Sequence, residues 1–343
     1  MTPVVATELR AAQAAAGGAA HAAAGGDAHA AAVVPAAAAA MDLSNVPSHM
    51  KSKIFRDKHR LLKKRLTARA LELWPNDPCH GPSKHLLMAF TIERIGWTLT
   101  AGCQCAQKGS WQLHYHRFRK LISLGAFDGE FEKVATEYVA VKGGLACLLI
   151  DGTHIKARKG GLCTGPSPVD RGKTGSKMTA LTDEHSIPVC AIFCGGNESD
   201  MNQLPRALDE ARRIHGDLSQ FTEILADKGY DSRANRMECL RHGLRPLILE
   251  RRKRRQTLLP HAALPVGNRT RRARPIAYPP LTREEFTRVA RRRNAVERCF
   301  AWQDNYRRVD RRHEHRVDTF RALQYLSLTV LVCDRLEQLG VLV

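Results

Sequence analysis

Three acidic residues occupy positions from which their side chains could hold a divalent metal ion. Asp151 follows the apolar run Leu145–Ile150, and Asp227 follows the shorter run Ile224–Ala226. Glu297 lies in RRRNAVERCF, a basic segment with helical character. We expect the two aspartates to end neighbouring strands and the glutamate to project from a helix packed on the same sheet. Hard cations such as Mg²⁺ need converging carboxylate oxygens, so the three residues predict a metal site.

Such a site suits chemistry at phosphodiester bonds. Two metal ions roughly 4 Å apart can activate an attacking water or 3′-hydroxyl and stabilise the leaving oxygen. Each residue also has an ordinary structural explanation. An aspartate after a strand often caps the next turn, and Glu297 can simply pair with Arg293, four residues earlier on a helix. The joint arrangement of all three favours the metal site.

Several residues beside the aspartates are weaker candidates. Lys156 and Arg158 could contact substrate phosphates, although an exposed charged turn explains them equally well. His154 is expected to contact phosphate or nothing rather than to bind metal. Tyr230 is expected to pack, because metal-activated water needs no covalent tyrosine intermediate.

The charge of the chain indicates a polyanionic partner. Its 343 residues include 54 Lys+Arg and 34 Asp+Glu, which gives a formal net charge of +20. Such an excess favours nucleic acid or an anionic membrane surface. No apolar run reaches the roughly 18 to 20 residues that span a bilayer. We therefore predict nucleic acid as the partner and no membrane association.

The ten cysteines form no disulfide-like framework, and no secretory signal is evident. Both features predict a reducing, intracellular compartment. Cys103 and Cys105, with Cys79 upstream, are expected to be thiols rather than zinc ligands, because no finger-like second pair follows. Cys190 and Cys194 fall in an apolar run and are expected in the core.

The first 142 residues divide into two regions. Residues 1–44 are rich in Ala and Gly and are predicted to be a disordered tail, with a transit peptide as the alternative. Residues 45–142 are predicted to be mostly helical and to bind DNA. One helix carries an apolar stripe and should expose its other face, as in a helix-turn-helix reader or in an ordinary amphipathic helix. The stripe is Trp111, Tyr115, Phe118 and Ile122, and the face that we expect to be exposed is His114, Arg117, Arg119 and Lys120.

Residues 143–343 are predicted to form the catalytic domain. From 143 to 250 the order is strand, hairpin, helix, strand, helix, strand, which favours an α/β layer fold. Gly243 is expected to end the second of these helices. Residues 251–280 are basic and rich in turn formers, and are predicted to be a linker or a loop facing nucleic acid. The chain is predicted to be helical again from Leu281, with Thr319–Leu339 packed under the sheet.

Four blocks of this sequence resemble, in order, those of insertion-sequence transposases with an Asp-Asp-Glu (DDE) site. The resemblance is to the IS-five group of the IS-four superfamily and runs from about Leu86 to Cys333. The blocks are IDGTHIKARKGG, SKMTALTDEHSIPVCAIFCGGNESD, LADKGYDS and RRNAVERCFAWQDNYRRV.

The resemblance implies a fold, a cofactor and a set of residues. The fold is an RNase H-like mixed sheet flanked by helices, and the cofactor is Mg²⁺ or Mn²⁺, as two ions. The catalytic residues and metal ligands are Asp151, Asp227 and Glu297, and Arg293 matches the arginine four residues before the glutamate. The activity is cut-and-paste strand transfer.

Two positions depart from the superfamily pattern. A tyrosine seven residues before the glutamate and a lysine seven residues after it are replaced by Ala290 and Asp304. An acidic residue cannot bind phosphate as lysine does. The neighbours Tyr306, Arg307 and Arg308 are candidates to take over that contact.

The sequence therefore predicts a DNA transposase that acts at terminal inverted repeats and on target DNA, as a homo-oligomer. The alternatives are a catalytically weakened, transposase-derived DNA-binding protein and a nuclease without strand transfer. The residues expected to contact DNA are Arg293, Lys156, Arg158, Arg117, Arg119, Lys120, Arg307 and Arg308.

Overall fold

The computed structural model describes residues 59–76, 83–102, 111–249 and 282–341. The helices in chain order are α1 (Arg60–Leu73), α2 (Ser83–Ala101), α3 (Trp111–Ser123), α4 (Ala126–Lys142), α5 (Asp200–His215), α6 (Arg233–Arg241), α7 (Arg283–Arg292), α8 (Asn294–Asp304), α9 (Arg307–Asp310) and α10 (Val317–Gln338). The strands are β1 (Cys147–Ala157), β2 (Gly165–Pro166), β3 (Thr174–Asp183), β4 (Pro188–Gly195), β5 (Glu223–Ala226), β6 (Arg245–Ile248) and β7 (Arg311–Arg312). No helix in these ranges is both long and apolar enough to cross a membrane.

The strands form one mixed sheet. Its main order is β4, β3, β1, β5, β6, with the two-residue strands β2 and β7 pairing with β3 and β1. The pairs β1–β3 and β3–β4 are antiparallel, and the pairs β1–β5 and β5–β6 are parallel. The predicted order of strand, hairpin, helix, strand, helix, strand is thus confirmed, as is the mixed α/β fold flanked by helices.

Strand β1 has two parallel partners along one edge. Residues 147–150 pair with β5, and Lys156 and Ala157 pair with β7. The segment 151–155 lies between these partners, and no other described strand pairs with it on this edge. The sheet is therefore open beside the middle of β1, where backbone and side chains can face a ligand.

Helices cover both faces of the sheet. Every residue of β4, and every residue of β3 after Thr174, is buried, so both faces of these two strands are covered. Helix α5 packs on β3 and β4, α8 packs on β1 and β3, and α10 packs on α4 and β4. The long helix α10 is largely buried, which confirms that Thr319–Leu339 packs in the core.

The buried face of α3 differs from the predicted stripe. Phe118 is buried as expected, but Tyr115 is 37% exposed, and His114 and Arg117 are buried. His114 lies 3.1 Å from the Thr91 hydroxyl on α2. The expectation that His114 and Arg117 face solvent is therefore wrong, because α2 contacts His114, and the tryptophan that follows α1 contacts Arg117, on a side that the apolar spacing did not indicate.

Two arginines of α3 contact other elements of the protein through their guanidinium groups. The Arg117 guanidinium stacks over the Trp74 ring at 5.6 Å, which satisfies its planar face. Arg119 donates to both carboxylate oxygens of Asp318 at 3.0 and 3.1 Å and to the Thr319 hydroxyl at 2.8 Å. These two side chains join α3 to its neighbours, whereas Lys120 is exposed as predicted.

Some of the remaining sequence predictions are confirmed, and others concern residues outside the described ranges. Cys190 and Cys194 are buried, and Gly243 has a positive φ of 75° directly after α6, as a helix C-terminus favours. The described cysteines are free thiols. The tail 1–44, the basic segment 251–280 and the thiols of Cys79, Cys103 and Cys105 lie outside the described residues, as does the side chain of Ala290.

A buried arginine fixes β7 against β1. Arg312 donates to the carbonyl of Leu162 and the hydroxyl of Ser176 at 2.8 Å each, and to the carbonyl of Glu314 at 2.9 Å. Its guanidinium lies 4.7 Å from the centre of the Phe320 ring. One side chain thus joins the loop after β1, strand β3 and the start of α10.

We predict that Arg312→Ala lowers the free energy of unfolding by about 3 kcal/mol, because buried acceptors lose their donor. Urea denaturation followed by circular dichroism measures the change. The matched control is Arg311→Ala at the exposed neighbouring position, for which we expect a change within about 0.5 kcal/mol. Equal losses in the two variants would contradict this role for Arg312.

Candidate active site

The register of the parallel pair places the two aspartates side by side. Ile150 is paired with Ala226, so the next residues along the two strands are Asp151 and Asp227. Asp227 follows the last residue of β5, as predicted. Asp151 lies inside β1 rather than at its end, because β1 continues to Ala157 to pair with β7. The prediction that Asp151 ends its strand is therefore wrong, whereas Asp227 does follow the end of β5 and the two aspartates are adjacent as expected.

Each aspartate accepts a hydrogen bond from the next backbone N–H. The Gly152 N–H donates to Asp151 Oδ1 at 2.8 Å, and the Lys228 N–H donates to Asp227 Oδ1 at 2.7 Å. The second bond caps a 3-10 turn over Lys228–Tyr230. Capping and ion pairing are thus not alternatives for Asp227, since the oxygen that caps the turn also lies 3.3 Å from the Arg293 guanidinium.

Glu297 reaches the same place through Arg293. Arg293 is the junction residue between α7 and α8, and Glu297 lies one turn into α8. The Arg293 guanidinium lies 3.3 Å from Asp227 Oδ1 and 3.4 Å from Glu297 Oε1. The expected helical pair between Arg293 and Glu297 is present, and the same arginine extends it to the second aspartate.

The electrostatics of Asp151 favour a bound cation. Burial raises the pKa of the Asp151 carboxyl to about 6, and the negative charges of Asp200 and Asp227 act in the same direction. The bond from the Gly152 N–H and the charge of Arg293 oppose this rise in pKa. A carboxylate in such surroundings gains most from a nearby positive charge. Because all three donors are carboxylate oxygens, the group fits a hard divalent ion.

The other basic candidates fall into two groups. Arg158 and Arg307 are exposed, and Lys156 is exposed with a long ion pair of 3.7 Å to Asp170. In contrast, Arg308 donates from Nε to Glu314 at 2.7 Å, and Glu314 is buried. Arg308 is thus engaged in an ion pair within the protein, whereas Arg158, Arg307 and Lys156 are exposed and accessible to a ligand.

The tyrosine and histidine near the aspartates behave as structural groups. Tyr230 is buried, as expected of a packing residue, and its hydroxyl has no hydrogen-bond partner within the described residues. His154 pairs across the sheet with Lys177 and lies 3.4 Å from the Ser167 hydroxyl. Burial lowers the pKa of His154, and the charge of Lys177 lowers it further.

Two residues beside the aspartates were missed from the sequence. Lys177 on β3 is buried, and its ammonium donates to Asp200 Oδ1 at 2.7 Å and to the carbonyl of Glu198 at 2.7 Å. Asp200 is the first residue of α5, so it looks like a helix-terminal acid in the sequence. A lysine in an otherwise apolar strand was the available signal, because a buried charge needs a partner.

The carboxylate triad is not the tightest group of potential metal ligands among the described residues. Asp209, Glu238 and His242 offer ligand atoms that all lie within 4.8 Å of one another. His242 Nε2 lies 3.7 Å from Asp209 and 3.4 Å from Glu238, so ion pairing accounts for the group. In the triad, the Arg293 guanidinium lies between Asp227 and Glu297 instead.

Comparisons with known proteins find similar sequences. The family model described as Transposase DDE domain matches residues 142–333, which contain the three acidic residues and the whole sheet. The chain is also 28% identical over 179 residues to a protein of Burkholderia cepacia named as a transposase for insertion sequence element IS402. That similarity covers 51% of this chain and 71% of the relative.

We predict that Asp151→Asn stabilises the ion-free protein at neutral pH. The folded carboxyl has a pKa of about 6, above its ordinary value of 3.8, so the folded state binds the proton more tightly than the unfolded chain. Stability from this group is therefore lost as pH rises from about 4 to about 6, and the loss persists above that range.

In EDTA at pH 7.5 we expect Asp151→Asn to raise the free energy of unfolding by about 1–2 kcal/mol, a gain that disappears below about pH 4. Denaturation curves at several pH values measure this difference. Asp209→Asn is the control, because the Asp209 side chain is 73% exposed. A gain in Asp151→Asn that does not change with pH would sink the electrostatic explanation.

Proposed function

Because this chain belongs to the transposase DDE domain family, we propose that it cuts double-stranded DNA at transposon ends and joins them to target DNA. The observation that supports this most is the arrangement around Arg293, which pairs with Asp227 and Glu297 while Asp151 lies beside Asp227. The three residues that the motif blocks single out are thus neighbours in space. We assign the catalytic role to Asp151, Asp227 and Glu297.

The family uses a divalent metal. We infer that Asp151, Asp227 and Glu297 hold it here as two Mg²⁺ or Mn²⁺ ions. Their oxygen donors suit these ions, and the half-buried Asp151 has most to gain from a cation. When bound, such ions supply Lewis-acid activation of the attacking oxygen and stabilisation of the leaving oxygen.

The reaction has two stages that use the same carboxylates. Water first attacks a phosphodiester at the transposon end and leaves a free 3′-hydroxyl. That hydroxyl then attacks a phosphodiester of the target, so one such bond forms as another breaks. No external energy source is needed for this exchange. Arg293 balances Asp227 and Glu297 before an ion is present, and we propose that it afterwards contacts a DNA phosphate.

Exposed cations around the site are proposed to guide the DNA backbone. Besides Arg293, these are Lys156, Arg158 and Arg307 near the open edge of β1, and Lys120 on α3. We leave out Arg117, Arg119 and Arg308, since each is engaged with other parts of the protein. Of the three α3 residues that the sequence predicted to contact DNA, we therefore keep Lys120 alone.

Arg307 is our candidate for the phosphate contact that Asp304 cannot make. Asp304 is exposed at the end of α8, so an acidic side chain does stand there. Of the three neighbours considered, Tyr306 is buried and Arg308 is paired with Glu314, whereas Arg307 is exposed. Arg307 would then supply an exposed cation three residues after the position at which the superfamily has its lysine.

The remaining proposals concern context. Two transposon ends must be brought together, so we propose that the protein acts as a homo-oligomer on inverted repeats and is intracellular, on DNA. Membership of the IS-five group rests on the motif blocks. A weakened, non-catalytic descendant is not favoured by the family match or by the transposase relative. A nuclease without strand transfer is distinguished by assaying joining as well as cleavage.

We predict that Asp151→Asn, Asp227→Asn and Glu297→Gln each reduce cleavage of DNA carrying the transposon ends at least about 10³-fold, because each removes a carboxylate from the metal site. DNA binding should stay within about threefold of the wild type, as the phosphate contacts are retained. A gel assay with Mg²⁺ and a second duplex measures cleavage and joining. Asp209→Asn is the matched control, and normal cleavage by two of the three variants would refute the assignment.

We predict that Arg307→Ala and Arg158→Ala each weaken DNA binding and reduce the slope of log K against log salt by about 1, since each removes one phosphate contact. Fluorescence anisotropy between 50 and 200 mM salt measures the slope. Arg119→Ala is the control, because this arginine is bound to Asp318 and Thr319. Arg119→Ala should lower the stability of the protein and leave the salt slope unchanged. A reduced slope for Arg119→Ala, with unchanged slopes for Arg307→Ala and Arg158→Ala, would contradict our assignment of the DNA-contacting arginines.

A further inference from the structure

An ion pair between a buried lysine, Lys177, and a partly exposed aspartate, Asp200, lies behind the two aspartates of the site. The Lys177 side chain is 4% exposed, and its ammonium bonds to Asp200 Oδ1 and to the Glu198 carbonyl. No residue of the predicted metal site shares these bonds. The ion pair therefore adjoins the site without a hydrogen bond to Asp151, Asp227 or Glu297 in the described part of the chain.

Two glycines show how closely Asp200 approaches the aspartates. A Cβ added to Gly152 would lie 3.6 Å from Asp200 Oδ1, and one added to Gly229 would lie 3.4 Å from Asp200 Oδ2. Gly152 follows Asp151, and Gly229 is two residues after Asp227. The Asp200 carboxylate thus lies between the two backbone segments that carry the aspartates, with one oxygen against each.

The pair lies on the other face of the sheet from the triad. Successive side chains of a strand face opposite sides, so the direction of a Cβ at Gly152 is opposite to that of Asp151. Helix α8, which carries Glu297, packs on the Asp151 face, where Gln303 contacts Met178 Sδ at 3.8 Å. Asp200 therefore supports the site from behind and is not placed as a fourth metal ligand.

The sign of the charges gives the pair a function. Lys177 alone would place a positive charge beneath a site that must attract divalent cations, at a range where Coulomb repulsion is substantial. Asp200 cancels that charge. The lysine in turn fixes one oxygen of Asp200, which keeps this negative charge beside Gly152 and Gly229.

We propose that Lys177 and Asp200 form a charge-balanced pair that sets the local electrostatic potential of the divalent-metal site at Asp151 and Asp227. This inference rests on the proposed metal site. It assigns to Asp200 and Lys177 a role in metal affinity, without contact to the reacting atoms.

The test is Mn²⁺ binding to the DNA-free protein, by calorimetry and by the electron paramagnetic resonance signal of free Mn²⁺. Asp200→Asn leaves the Lys177 charge uncancelled and should weaken Mn²⁺ binding about tenfold or more. Lys177→Met/Asp200→Asn removes both charges and should return the affinity to within about threefold of the wild type. Lys177→Met alone keeps the negative charge and should bind Mn²⁺ at least as tightly as the wild type.

A matched pair elsewhere separates this role from simple stabilisation. Lys63 and Glu93 form a buried pair of the same 2.7 Å length away from the site. Glu93→Gln should lower the melting temperature and leave Mn²⁺ affinity unchanged. If Asp200→Asn behaves like Glu93→Gln, or if the double variant binds as weakly as the single one, the inference is wrong. In cleavage assays, Asp200→Asn should raise the Mn²⁺ concentration for half-maximal rate more than it lowers the saturated rate.

One further variant keeps this result distinct from the proposed function. Asp151→Asn/Asp227→Asn should lose Mn²⁺ binding at the site altogether. If that variant binds Mn²⁺ like the wild type, the metal site itself is misassigned. If it loses binding while Asp200→Asn keeps wild-type affinity, only the role of the Lys177–Asp200 pair is refuted.

Discussion

The parallel register between β1 and β5 is the constraint on which the site depends. Pairing of Ile150 with Ala226 leaves Asp151 and Asp227 as the next residues on adjacent strands. A slip of one residue would turn one carboxylate to the other face of the sheet, because side chains alternate along a strand. The buried residues of both strands fix the register, so hydrophobic packing determines the relative positions of the two charges.

The remaining elements act around this pair. Strand β7 takes up the edge of β1 beyond residue 155, which leaves a short open segment for substrate. Helix α8 brings Glu297 to that opening, and its junction with α7 supplies Arg293. The Lys177–Asp200 pair fills the space behind the strands. Each charged residue thus has a scaffold element that determines which side of the sheet it faces.

Much of the fold could be predicted from the sequence, because apolar runs and turn residues report on local structure. The hairpin of β3 and β4, the short strand β5 and the buried α10 were all predicted from such patterns. The adjacency of Asp151 and Asp227 was also predicted, from the general geometry of parallel strands. The continuation of β1 to Ala157 was not predicted, since pairing with Arg311 and Arg312 joins residues 155 positions apart.

The errors concern charged residues whose partners are distant in sequence. Arg117 and Arg119 looked like an exposed basic face, yet their partners are Trp74 and Asp318. Asp200 looked like an ordinary helix start because its lysine partner is 23 residues away on another element. The spacing of apolar residues predicts which face of a helix packs against an apolar surface. It does not predict ion pairs or cation–π contacts with residues that are distant in sequence.

The position of Arg293 has a consequence for how the protein matures. With Arg293 between Asp227 and Glu297, three carboxylates and one guanidinium leave a net charge near −2 at neutral pH rather than −3. Sites made only of ligands often cannot form until an ion arrives, which makes folding conditional on metal. Here the chain supplies its own cation to the cluster. For the proposed metal site we therefore expect folding before an ion binds, because Arg293 already balances part of the negative charge of Asp227 and Glu297.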